Sequence, residues 1–85
     1  MTVRLLLFAS AREAAGLRED TFEVASASTV DGLLAAAGAR YGPQFATVLG
    51  SSRIWVNADE PPSGGATALH DGDEVAVLPP VSGGA

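Results

Sequence analysis

Two adjacent glycines, Gly83 and Gly84, are the residues of this chain best placed for chemistry at a backbone end. Neither carries a β-carbon, so a segment ending in them can thread a narrow slot and be approached from either side. Pro79 and Pro80 precede them, across Val81 and Ser82. The prolines remove two amide donors and favour extended polyproline geometry, so strand pairing should stop there and the chain should project outward. Four residues beyond Pro80 span about 14 Å at ~3.3–3.6 Å per residue, enough to enter a channel. Side-chain chemistry has weaker candidates. The one histidine, His70, sits in a turn beside Asp71 and Asp73, and no second histidine or any cysteine is present to share a metal. The serines lack a glycine-flanked nucleophile elbow, and Asp71, Asp73 and Glu74 read as a solvated hairpin end. No stand-alone catalysis is expected.

Composition narrows the classes. Eighty-five residues suit one domain, and a chain of this size buries roughly 60–65% of its unfolded surface, enough for one small core. Without cysteine there are no disulfides, thiolate metal sites or catalytic thiols. Five basic residues, all arginine, against ten acidic ones give a net charge of −5, which argues against nucleic acid or an anionic membrane and for a partner with a basic face. With no lysine, the chain should donate its terminus in any isopeptide-type chemistry rather than receive one. The apolar run in Met1 to Ala11 is too short for a signal core or a membrane span, so a cytoplasmic protein is expected.

The elements that must position the terminus follow in order. Val3 to Ala9 reads as a strand with Leu5 and Leu7 on one face and Leu6 and Phe8 on the other, so both faces should be covered. A short helical turn from Ala11 to Gly16 follows, with Ser10 as its cap. Asp20 to Ala25 is a half-buried strand hairpinned to the first. Ser28 and Asp31 have capping-box spacing, and Val30, Leu33, Leu34, Ala37 and Tyr41 then form one helical stripe ended by Gly42-Pro43. Pro43 suits the first position of a second short helix carrying Phe45, Val48 and Leu49. Arg53 to Asn57 is a strand with Ile54 and Val56 opposite Trp55, which is either packed under a loop or offered to a partner. Residues 57–65 form a Pro/Gly-rich loop, and Thr67 to Leu69 a short edge strand. Asp71-Gly72 is a turn, and Glu74 to Leu78 the last strand.

The run Asp71-Gly72-Asp73-Glu74-Val75 followed by Pro79-Pro80-Val81-Ser82-Gly83-Gly84 resembles the C-terminus of the small subunits of molybdopterin synthase, ubiquitin-like sulfur carriers. Phe8-Ala9, Arg12-Glu13 and Gly16 resemble that family's opening strand and the helical turn after it, so the matches bracket the chain. The resemblance implies an α+β fold of the ubiquitin-like β-grasp type, with a mixed sheet of four to five strands, one main helix, and first and last strands side by side at the centre. It implies a domain over 1–80 and a flexible tail over 81–85. One main helix covers one face of such a sheet, which leaves a surplus apolar face as a candidate interface.

It also implies a cycle. An E1-like adenylating enzyme uses ATP to activate the Gly84 carboxylate, with Gly83 beside it. Sulfur then displaces AMP to give a thiocarboxylate, and the large subunit of molybdopterin synthase receives the tail and passes the sulfur to a cyclic pterin. No bound cofactor is expected; the ATP belongs to the activating partner. Phe8, Leu78, Pro79, Pro80, Val81 and Ser82 would meet the partners, and Arg12 and Glu13 belong either to a solvated turn or to the same contact. Since the chain carries any sulfur without a cysteine, the terminus must hold it. One departure stands out: the family ends at its second glycine, whereas Ala85 follows here and must be lost before Gly84 can react. Two other readings remain, a sister sulfur carrier for thiazole or cysteine biosynthesis, and a ubiquitin-like interaction module permanently blocked by Ala85.

Overall fold

The computed structural model describes residues 1–80. The chain runs β1 (Thr2–Leu7), α1 (Ala9–Ala15), β2 (Glu19–Glu23), α2 (Val30–Tyr41), α3 (Pro43–Leu49), β3 (Arg53–Val56), a single 3-10 turn (Gly64–Ala66) and β4 (Glu74–Leu78). The four strands form one mixed sheet in the order β2-β1-β4-β3. β1 and β4 lie parallel at its centre with Leu5 beside Val75 and Leu7 beside Val77, while β2 and β3 flank them antiparallel. Parallel neighbours require a long crossover, and the segment holding α1, β2, α2, α3 and β3 supplies it.

The core lies on one side of this sheet. Val3, Leu5, Leu7, Phe22, Val75 and Val77 point into it and meet Val30, Leu33 and Ala37 of α2, Phe45 of α3 and Ala11 of α1, all buried. The helical stripe expected from Val30 to Tyr41 therefore faces the sheet, with Leu34 and Tyr41 at its half-buried margin. Tyr41 stacks edge-on between Phe22 and Phe45, at centroid distances of 6.1 and 5.0 Å. Its hydroxyl donates to Asp20 at 2.6 Å, and Arg40 donates to the same carboxylate at 3.0 Å. The Arg40 guanidinium lies 3.7 Å over the Phe22 ring, a cation–π contact that pins the end of α2 to β2. The hydrogen bond from Tyr41, ahead of the Arg40 contacts, holds the Asp20 carboxyl below its ordinary range. Burial first, and then Asp20, pushes the phenol of Tyr41 well above its own.

Several local expectations need correction. Ser10 caps nothing: α1 starts at Ala9 directly out of the strand, with Phe8 as its N-cap, and the Phe8 carbonyl accepts from the amides of Ala11 and Arg12. The first strand accordingly ends at Leu7 rather than Ala9. The cap of α2 is Thr29, one residue beyond Ser28; its hydroxyl accepts from the Gly32 amide at 3.2 Å. Asp31 thus falls in the first turn, where a carboxylate suits the helix dipole but makes no reciprocal box. Thr67 to Leu69 is not a strand of the sheet. It makes one isolated bridge, Ala68 to Thr29, and ties down the start of α2 through Val30 and Ser28. The sheet has four strands among the described residues.

Candidate functional site

Alternation along the two central strands builds the site. Residues of β1 and β4 that do not enter the core emerge on the opposite face, which no helix among the described residues covers. In register across it, Glu19, Leu6, Ala76 and Trp55 form one row, and Thr21, Arg4 and Glu74 form the next. The Leu7–Val77 pairing carried one step further sets Phe8 beside Leu78, with Arg53 across from Leu78 on β3. This face therefore has two ends. At one, Arg4 bridges Glu19 and Glu74, and Thr2 donates to Glu23. At the other lie Leu6, Phe8, Ala76, Leu78 and Trp55, none of them part of the core cluster.

Because β1 and β4 run parallel, their C-terminal ends coincide, and that end is the apolar one. The chain leaves it through half-buried Pro79 and exposed Pro80. The route to Gly83 and Gly84 thus starts at the apolar end of the uncovered face. Phe8 is 45% exposed, the one large apolar side chain so placed among the described residues. It borders a shallow pocket of about 300 Å³ with Leu6, Leu7, Arg12, Arg18 and Glu19. Among the described residues Arg12 and Arg18 make no ion pair, whereas Glu19 is taken by Arg4. The expectation that an acidic chain meets a basic partner does not extend to this corner. Its two guanidiniums suit carboxylates at the rim of a docked surface.

Phe8 follows β1, and Leu78, Pro79 and Pro80 end and follow β4, so the parallel pairing puts all four at the same end of the sheet. Val81, Ser82, Gly83, Gly84 and Ala85 lie outside the described residues. Arg4 and its two carboxylates were missed in the sequence, although Arg4 alternates with Leu6 and so had to share its face. Trp55 shares the uncovered face by register with Ala76 and lines an open cleft of about 460 Å³ with Glu60, Pro61 and Ile54 at the β3 edge.

The opposite end of β4 is fixed by polar contacts. In the turn before it, Gly72 takes a positive φ of 86°, which suits glycine. The Asp71 carboxylate accepts from the Thr2 amide at 2.7 Å, and the Gly72 amide donates to the Thr2 carbonyl at 2.8 Å. Asp73 accepts from the His70 amide and the Asn57 side chain. These carboxylates hold the starts of β1 and β4 in register, and through it the far end from which the tail departs. The His70 ring is 82% exposed, with Nδ1 3.8 Å from Asp73.

The sequence matches the ThiS family over residues 5–84. It is 38% identical over 84 residues to the molybdopterin synthase sulfur carrier subunit of Chlamydomonas reinhardtii, covering 99% of this chain and 100% of that one. The fold is similar to small archaeal modifier protein 1 from Methanosarcina acetivorans, with a TM-score of 0.83 and 31% identity across 95% of this chain and 94% of the other. It is also similar to a putative molybdopterin converting factor subunit 1 from Pyrococcus furiosus, with a TM-score of 0.81 and 28% identity across 95% and 99% of the two chains. No helix among the described residues is long and apolar enough to cross a membrane.

Proposed function

The chain belongs to the ThiS family, a ubiquitin-like β-grasp fold, and we propose that it is the sulfur carrier subunit of a molybdopterin synthase. One observation carries the reading beyond family membership: the uncovered apolar end of the sheet is also the end from which the chain runs on to Gly83-Gly84. Docking through Leu6, Phe8, Leu78 and Trp55 would set the origin of the tail at the rim of a partner's active site. Ordering tail residues costs about 1–2 kcal/mol each, which burial of this patch must offset.

In the proposed cycle an E1-like enzyme binds the patch first. The Gly84 carboxylate attacks the α-phosphorus of ATP and releases pyrophosphate. A sulfide-level donor then displaces AMP and leaves a thiocarboxylate. The same patch next docks the large subunit of molybdopterin synthase, where the sulfur passes to a cyclic pterin. The chain holds no cofactor in this cycle, works in the cytoplasm and supplies the sulfur rather than the catalytic groups. Sequential use of one surface explains why a small domain with one apolar patch can serve two enzymes.

The similarity to an archaeal modifier protein supports a second reading, in which the same acyl-adenylate is captured by an amine of another protein. Both readings are tested on a chain ending at Gly84, incubated with purified activating enzyme, ATP and sulfide. Replacement of one terminal oxygen by sulfur, seen by intact mass, is the expected result. Gly84→Val in that chain should abolish it while the melting temperature stays unchanged, since nothing in 1–80 has altered. An unmodified Gly84 chain, or normal sulfur transfer by the valine variant, would contradict the carrier reading. Covalent adducts to other proteins without transfer to the pterin would favour the modifier reading.

A further inference from the structure

The cleft at the β3 edge takes no part in the cycle proposed above. It lies between β3, the start of α2 and the loop that follows β3, and at about 460 Å³ it has the size of a site for a small ligand or a few residues of peptide. Val30, Leu34, Ile54 and Pro61 give it an apolar lining. Asp31 and Glu60 stand on it as well, and neither makes an ion pair among the described residues. We propose that this cleft is a docking site for an arginine-bearing apolar segment of a partner protein, separate from the patch around Phe8 and Leu78.

Charge and ring chemistry select the occupant. Two carboxylates outnumber the one guanidinium on the cleft, Arg53, so the site favours a cation. A guanidinium is planar and stacks on an aromatic ring while its N–H groups donate to carboxylates, a combination that an ammonium matches less well. The protein already contains such an arrangement: Arg40 lies 3.7 Å over the Phe22 ring and donates to Asp20 at 3.0 Å. The cleft offers the same kinds of partner, the indole of Trp55 and two carboxylates, with no arginine paired to them. Arg53 begins β3, whereas the Val56–Asp59 bridge after the strand turns the chain back to Glu60. Its unpaired guanidinium disfavours a second basic residue in the docked segment, and the apolar lining takes the neighbours of the arginine.

Gly65 sets where one of these carboxylates stands. A β-carbon on it would come 2.1 Å from an Asp31 oxygen and 2.3 Å from the carboxyl carbon, so the acid packs against the glycine backbone. The Val30 amide donates to the Thr67 carbonyl at 3.0 Å and the Leu69 amide to the Ser28 carbonyl at 2.8 Å, which ties the first turn of α2 to the segment after Gly65. Both walls that hold the Asp31 carboxylate are thus anchored to each other, and the acid is presented with little left to order on binding. Leu6 and Phe8 belong to β1 and its end, and β4 lies between β1 and β3 in the sheet. A segment in the cleft therefore leaves that part of the patch open, so one partner can hold the domain at its edge while another engages the face.

The test titrates the full chain with a short blocked peptide of serine, valine and leucine around a single arginine, read by the fluorescence of Trp55, the one tryptophan present, and by amide NMR shifts. Binding should saturate, with shifts centred on the start of α2, on β3 and on residues 60–65. The same peptide with glutamine in place of arginine should bind at least about tenfold more weakly, the scale of a charge-assisted hydrogen bond, and the lysine peptide should fall between them. Asp31 and Glu60 are exposed, so Asp31→Asn and Glu60→Gln should melt with the wild type, yet each should weaken the arginine peptide several-fold. Gly65→Ala keeps every charge but displaces the Asp31 carboxylate, and should match Asp31→Asn in binding. No saturable change with the arginine peptide, equal binding of the glutamine peptide, or shifts centred on Leu6 and Phe8 would overturn the proposal. Cleft shifts that grow with protein concentration in the absence of peptide would overturn it too, by assigning the cleft to a second copy of the chain.

Discussion

The two faces of the sheet are drawn from the same strands, and they differ in what would change if each were altered. On the inner face Val3, Leu5, Leu7, Val75 and Val77 are closed off by α2 and α3 and belong to one cluster. On the outer face Leu6, Ala76 and Leu78 have the same strand positions offset by one, yet among the described residues they are not part of the core cluster. Apolar side chains at alternate positions on both sides of a strand normally mean that both sides are buried. Here one side is buried by the chain, and the other is the face proposed to dock partners. The outer face is also divided, with ion pairs around Arg4 at one end and the apolar patch at the other. Such exposed pairs contribute little to stability.

Substitutions sharpen this division, the largest effect coming from the inner face. Phe45→Ala removes a fully buried ring between α3 and the sheet and should cost about 3–5 kcal/mol by denaturant unfolding, with affinity for the large subunit preserved in the folded fraction. Loss of affinity without loss of stability would mean that the faces are not separate. Leu78→Asp on the outer face should do the reverse. Binding to the large subunit should weaken at least ~30-fold, the scale of an interface hot spot of about 2 kcal/mol, while stability changes by less than ~1 kcal/mol. Unchanged affinity by calorimetry would remove Leu78 from the interface.

A smaller effect belongs to the latch between α2 and β2. Tyr41→Phe keeps the ring stack but removes the hydrogen bond to Asp20, for an expected loss of about 1–2 kcal/mol near neutral pH. Asp20 is held below its ordinary value, so its contribution is fully present above the unfolded carboxylate value of about 3.9 and disappears as pH falls through the lower folded value. The difference between wild type and variant should therefore shrink in melts below about pH 4. A difference that stays constant down to pH 2 would assign the effect to packing instead of Asp20.

Where the sequence was informative, a short-range rule coincided with the tertiary answer. The two-sided pattern of β1, the Val30–Tyr41 stripe and the Pro43 start of α3 all rest on side-chain periodicity or backbone restriction, and all stand in the structure. The misses come where several local solutions compete. Ser28 and Thr29 are adjacent hydroxyl residues, and the bridge from Thr29 to Ala68 selects the second as the cap. Ser10 lost its place because the strand turns straight into α1 at Ala9, whose φ of 47° is unusual for alanine. Thr67–Leu69 has strand composition, but its backbone bonds go to the start of α2.

The sequence Ser-Gly-Gly-Ala shows the limit most clearly, since it occurs twice. At Ser63–Ala66 a β-carbon on Gly65 would come 2.1 Å from an Asp31 carboxylate oxygen, so that glycine answers to local packing. At Ser82–Ala85 the glycines follow the apolar end of the uncovered face, and the account assigns them to reaction. Only the first copy lies among the described residues.

The division of the sheet is tested most directly by the neighbouring pair Leu5→Glu and Leu6→Glu, measured by thermal melting and by titration calorimetry against the large subunit. Leu5 is fully buried beside Val75, and Leu6 lies on the other face beside Ala76. The account predicts that Leu5→Glu does not fold, because an unpaired charge enters the core. It predicts that Leu6→Glu melts close to wild type yet binds at least ~30-fold more weakly. Equal unfolding by both variants, or wild-type affinity in a folded Leu6→Glu protein, would contradict it.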